Sequence, residues 1–157
     1  MSAAPKQTDR YKEIRNSKVL RDYFVEDTLE AGIVLTGSEI KSVREGGAQI
    51  SDSFVRFDRG LPVMYHGHIP PYSHTAKSTT YNPYRPRKLL IKKQQALKWE
   101  IQLESAGLTI IPLRMYFKKA LLKVEIGLCK GKKQYDKRDD LKKKAARRDE
   151  ERHVRIK

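Results

Sequence analysis

The sequence predicts a mainly β protein: short strands closed into a small barrel, two or three helices, and a basic C-terminal tail that is disordered until bound. Three observations carry this. Between Tyr11 and Cys129 the dominant apolar period is two, as in a strand with one face in a core. Turn formers rather than repeats separate the periodic segments. From Lys130 onward apolar residues nearly vanish, leaving Tyr135, Leu141, Ala145, Ala146, Val154 and Ile156. The organisation expected is a flexible N-terminus over residues 1–10, a barrel over 11–129 and a tail over 130–157.

Taken in order, Ile33 to Leu35 reads as a short strand. Thr36 followed three residues later by Glu39 has the spacing of a capping box, with Ile40 and Val43 on one helical face and Gly46 and Gly47 as the stop. Phe54 to Phe57 and Val63 to Tyr65 flank Asp58, Arg59, Gly60, Leu61 and Pro62, a hairpin with Gly in its turn. A long loop from His68 to Arg87 holds Pro70, Pro71, Pro83 and Pro86 with Tyr72, Tyr81 and Tyr84; loops of that length are usually functional or mobile. Lys88 to Ile91 is a strand. A second helix runs from about Lys92 to Ser105, with Ala96, Trp99 and Leu103 on one side, Leu97 and Ile101 beside them, and Gly107 after it. Trp99 is expected in the core. Leu108 to Leu113 forms a strand, and Leu122, Val124, Ile126 and Leu128 alternate with Lys123, Glu125 and Gly127 in another. Mostly antiparallel strands with capping helices describe a Greek-key barrel of the OB type. An SH3-like barrel would read similarly.

Charge points to the partner. With 34 Lys plus Arg against 19 Asp plus Glu, the chain carries +15, and such a surface attracts polyphosphates and releases their counterions. No apolar run reaches the roughly 18 residues of a membrane span. Met1 to Arg10 lacks the apolar core of a secretory signal, so a cytoplasmic location is expected. The single Cys129 excludes an internal disulfide and reads as a small apolar residue at a strand end. The tail holds thirteen basic and six acidic residues. Its Asp139 with Lys143 and Asp140 with Lys144 are acid-first i,i+4 pairs, so helix on contact with RNA is expected.

Other chemistry finds little support. His66 and His68 would share a strand face but lack a third ligand, so no metal is expected. Asp52 and Ser53 have no nucleophile elbow around them. Gly131, Lys132 and Lys133 lack the upstream glycine of a phosphate-binding loop. No cofactor and no catalysis are expected. The loop tyrosines leading into Arg85, Arg87 and Lys88 interleave rings with cations, which is how unpaired RNA is held.

The residues also carry a resemblance. Glu30, Ala31, Gly32, Ile33 and then Gly37, Ser38, Glu39, Ile40, Lys41, Ser42, Val43, Arg44 resemble segments of the SmpB family of tmRNA-binding proteins. The similarity continues through Asp52 to Val55, His68 to Tyr72 and Arg87 to Leu90. It ends in Gly131, Lys132, Lys133 and Asp136, Lys137, Arg138. It spans roughly Asn16 to the C-terminus.

This resemblance implies an OB-fold barrel that clasps the tRNA-like domain of tmRNA and helps its loading by alanyl-tRNA synthetase. With elongation factor Tu and GTP it would accompany that RNA to a ribosome stalled without a stop codon. The tail would enter the decoding centre and become helical in the empty mRNA channel. Carried over, Glu30, Gly32 and Lys41 face tmRNA, extended by Arg87 and Lys88. Gly131, Lys132, Lys133, Tyr135, Asp136, Lys137 and Arg138, with Lys143, Arg147 and Arg148, meet ribosomal RNA. Three positions depart from the family pattern: Leu20 and Arg21 stand where Ala and His often precede Asp22 and Tyr23, and Tyr135 stands where His is common. The competing classes are a general RNA-binding or ribosomal protein and an RNA-processing enzyme.

Overall fold

A computed structural model describes residues 11–74, 80–105, 107–132, 138 and 141–148. The elements are β1 (Ile14–Arg15), α1 (Val19–Asp22), β2 (Tyr23–Ile33), α2 (Gly37–Arg44), β3 (Phe54–Asp58), β4 (Leu61–Tyr65), β5 (Arg87–Leu90), α3 (Lys93–Gln102), β6 (Leu108–Lys118) and β7 (Leu121–Gly131). Residues 141–148 are also helical.

The strands pair as a ring, β6 to β3, β4, β5, β2, β7 and back to β6, with β1 added along β6. Every described strand pairing is antiparallel. The sequence predicted a closed Greek-key barrel; the ring closes, but unevenly. β6 and β7 pair along their length, whereas β3 meets β6 at Val55 opposite Ile110. A five-residue strand cannot follow an eleven-residue one for long, so this seam is short.

Local chemistry explains the elements. The Thr36 side chain accepts from the Glu39 N–H while the Glu39 side chain accepts from the Thr36 N–H, so the expected box forms and α2 starts at Gly37. Arg59 and Gly60, at φ 52° and 80°, make the two-residue turn that matches the twist of the hairpin strands. The strand seen at Ile33 is the end of an eleven-residue β2. Glu26, Asp27 and Glu30 hide that strand, and a bulge between Val25 and Asp27 shifts its alternation. A second bulge lies between Pro112 and Arg114, and it accommodates a proline inside β6.

The ring encloses Val55, Met64, Leu89, Ile110, Met115, Val124, Ile126 and Leu128, joined by Val43 from α2 and Trp99 from α3. Trp99 is 1% exposed, and its Nε1 donates to Asp27 Oδ2 at 3.1 Å. Leu97 and Ile101, expected beside it, are 52% and 65% exposed. The buried stripe of α3 is narrow, Ala96, Trp99 and partly Leu103, and those two leucine and isoleucine positions fall outside it. Cys129 is buried in a smaller cluster with Val19 and Ile111.

Candidate nucleic-acid interface

Register along β2, β7 and β6 places two cross-strand rows on the outward face. Glu30 lies opposite Glu125, which lies opposite Arg114; Gly32 lies opposite Lys123, which lies opposite Tyr116. On the other side of β2, Gly32 pairs with Leu90 of β5, and Lys88 follows two residues away, so both exposed residues border the same face. The Tyr116 hydroxyl donates to Glu30 Oε2, and Lys118 Nζ lies 3.5 Å from that oxygen. Arg114 sits 4.3 Å over the Tyr116 ring and bonds Glu125 at 3.0 Å.

These contacts set charge states. The Tyr116 hydrogen bond, against a smaller opposing effect of burial, and the nearby Lys118 lower the Glu30 pKa. Burial and then the Glu30 carboxylate push the Tyr116 phenol up. At neutral pH the face therefore offers a fixed acceptor at Glu30 beside the cations Lys118 and Lys123, with Lys88 further along the same face. A carboxylate among cations can accept from a base amino group or a ribose hydroxyl while lysines hold phosphates.

Gly32 leaves this face open. A Cβ built there would meet Leu90 Cβ at 3.4 Å, ordinary contact, so the fold does not require glycine at this position. The substitution Gly32→Ala is expected to leave thermal stability nearly unchanged while weakening RNA binding, since the added methyl stands where a backbone would approach. A titration alongside a melting curve checks it.

Lys41 is exposed on α2 with its ammonium 5.6 Å from the Tyr72 ring centre. Arg87 is placed otherwise than the resemblance implied. It is fully buried, and its guanidinium donates to Glu39 Oε2 at 2.9 Å, Gly67 O at 2.8 Å and Pro83 O at 3.0 Å. It has no surface to offer RNA; it is the internal counter-ion of Glu39 and holds the proline-rich loop against β5. Arg85 bonds the same carboxylate from the loop side, and the Tyr81 hydroxyl donates to Ile69 O at 2.8 Å. Burial acts to raise the Glu39 pKa, but hydrogen bonds from Arg85, the Thr36 N–H and Arg87, with the charge of Arg87, outweigh it and bring it to about 2.

The remaining candidates fall as follows. β4 ends at Tyr65, so His66 and His68 do not share a strand face; His66 has φ 60° and packs on Phe54, and His68 packs on Tyr84. Ser53 is buried with Oγ donating to Ile50 O at 2.6 Å, and Asp52 pairs with Lys18. No group of three His, Cys, Asp or Glu among the described residues could hold a metal ion. No helix among them is long and apolar enough to cross a membrane.

In the tail, Gly131 ends β7 and Lys132 follows it, bonded to the backbone of α1. Lys133, Tyr135, Asp136 and Lys137 lie outside the described residues. Arg138 is helical, as are Lys143, Arg147 and Arg148, whose side chains are exposed. The helix expected in the tail on contact with RNA has its counterpart in the helical residues 141–148. Ala145 and Ala146, strong helix formers, lie within it.

Sequence reasoning missed Tyr116, Arg114, Lys118 and Leu90 on the outward face. The alternation that exposes Lys123 and Glu125 was visible; the cross-strand partners that join them to Glu30 were not.

Ring, outward cations and carboxylate together define a small β-ring protein with a charged outward face. The sequence matches the SmpB protein family over residues 13–156, and the chain belongs to that family. It is 46% identical over 155 residues to an SsrA-binding protein of Exiguobacterium sibiricum, covering 98% of this chain and 97% of the relative. An SsrA-binding protein of Desulfitobacterium hafniense is 44% identical over 140 residues, 89% of each chain. A solved structure, "tmRNA-SmpB: a journey to the center of the bacterial ribosome", superposes with a TM-score of 0.65 at 34% identity, over 82% of this chain and 94% of that one.

Proposed function

We propose that this protein binds the tRNA-like domain of tmRNA through the outward β2, β5, β6 and β7 face and delivers it to stalled ribosomes in the cytoplasm. The observation that carries the reading is similarity to SsrA-binding proteins along nearly the whole chain, tail included. Glu30, Gly32, Lys88 and, across α2, Lys41 form the tmRNA-facing set, now joined by Lys123 and Tyr116 and without Arg87. The ring is an OB-type barrel whose joins through β5 and between β3 and β6 are short, and the basic tail beyond it extends into the decoding centre and the empty mRNA channel. Elongation factor Tu with GTP and alanyl-tRNA synthetase act through the RNA. The protein positions RNA, and the peptide chemistry belongs to the ribosome.

The physical logic is division of labour. Lysines supply affinity that any RNA can exploit, while an acceptor fixed by Tyr116 discriminates among the groups placed against it. Binding to tmRNA is therefore expected to exceed binding to an unrelated hairpin at matched salt. If about 6 to 10 phosphates are contacted, both affinities should fall roughly 10³ to 10⁵ between 50 and 200 mM salt. Equal affinity for the two RNAs would leave a general RNA-binder.

A further inference from the structure

α1 has four residues, so its C-terminal carbonyl oxygens lack partners within the helix. Lys132 meets two of them. Its N–H donates to Asp22 O at 2.9 Å, and its Nζ donates to Leu20 O at 2.8 Å. The same ammonium lies 4.7 Å from the centre of the Phe24 ring. β7 has ended at Gly131, opposite Tyr23, so Lys132 carries the ladder one residue past the strand and onto the helix.

A cation donating to helix C-terminal carbonyls is favoured by the charge of the donor and by the negative end of the helix. Its position near an aromatic ring adds to this. A second contact lies nearby. Leu20, Arg21 and Lys132 line a cleft of about 290 Å³ together with Leu141, Lys143, Lys144 and Arg147 of the tail helix.

We infer that Lys132 is a positioning residue for the tail: fastened to the last carbonyls of α1, it gives the basic segment a set direction of departure from the ring and does not itself contact RNA. Its consequence in ribosome rescue rests on the proposed function, but the fastening belongs to the free chain. A root held in one direction raises the concentration of the tail at its binding site, without any new contact there. Loss of the fastening should then cost tagging about tenfold through that effective concentration.

Spin labels on Lys98→Cys and Lys142→Cys in the full chain, both exposed positions, test the fastening directly. Cys129 is fully buried and burial pushes its thiol up to about 11, so it stays unlabelled. The expected result is a narrow distance distribution that broadens about twofold in Lys132→Met and stays narrow in Lys133→Met. An unchanged width in Lys132→Met, or equal broadening in both variants, overturns the inference. Lys132→Gln replaces the Met variant should that one fail to fold.

The salt dependence of ribosome binding by Lys132→Met gives the second arm. A positioning residue leaves the slope of log affinity against log salt unchanged, whereas a lost phosphate contact reduces it by about 0.9. A reduced slope would return Lys132 to the RNA-contacting set. Failure of tmRNA binding in the parent protein would sink the proposed function while leaving the spin-label result intact.

Discussion

Glu39→Gln is expected to destabilise the protein by about 3 to 5 kcal/mol, the cost of breaking a buried ion pair from one side. Arg87 would keep its bonds to Gly67 O and Pro83 O but lose its counter-charge in a fully buried position. Arg85 would lose the same partner, and the N-terminus of α2 would lose its charged cap. The pH dependence follows from the direction of the shift. The Glu39 pKa is lowered from 4.5 to about 2 in the folded chain, so the pair stabilises fully above about 4.5 and its contribution is lost as pH falls from there through about 2. Denaturant titrations across that window should show the wild type losing stability towards acid and Glu39→Gln losing much less. Parallel pH profiles for the two proteins would count against the assignment. The Pro- and Tyr-rich loop should also open in the variant, because Arg85 and Arg87 tie it to α2 through this carboxylate.

Truncation after Lys132 is expected to abolish peptide tagging on stalled ribosomes while tmRNA affinity stays within about tenfold, or 1.4 kcal/mol. That cut leaves β7, its ladder with β2 and the Lys132 bonds to α1 in place. It removes only basic tail, so the modest affinity loss should be electrostatic and should vanish as salt rises. Tagging by the truncated protein at the wild-type rate would show that the tail has no part in rescue.

These two outcomes separate the work of the ring from that of the tail, and they bear on how the sequence encodes each. The α2 cap, the β3 to β4 hairpin, the apolar alternation of β7 and the basic tail were all legible, because each depends on residues within a few positions of one another. Thr36 needs only Glu39, and Arg59 with Gly60 needs only its flanking strands. The helical tendency of 141–148 was legible in the same way.

What lay beyond the sequence was which charges face inward. Arg87 and Lys88 are neighbours of equal charge; one is fully buried and the other exposed. Strand alternation turns them to opposite faces, but only Glu39, 48 residues away, makes burial of a guanidinium tolerable. Lys132 likewise reads as one more cation of a basic tail until Leu20, 112 residues earlier, supplies the carbonyl that holds it. Sequence by itself determined the β character, the net charge and the family pattern, since these are sums or short-range patterns. Only the tertiary structure decided which carboxylate and which cations remain on the outward face, because desolvation and pairing depend on groups that the fold alone brings together.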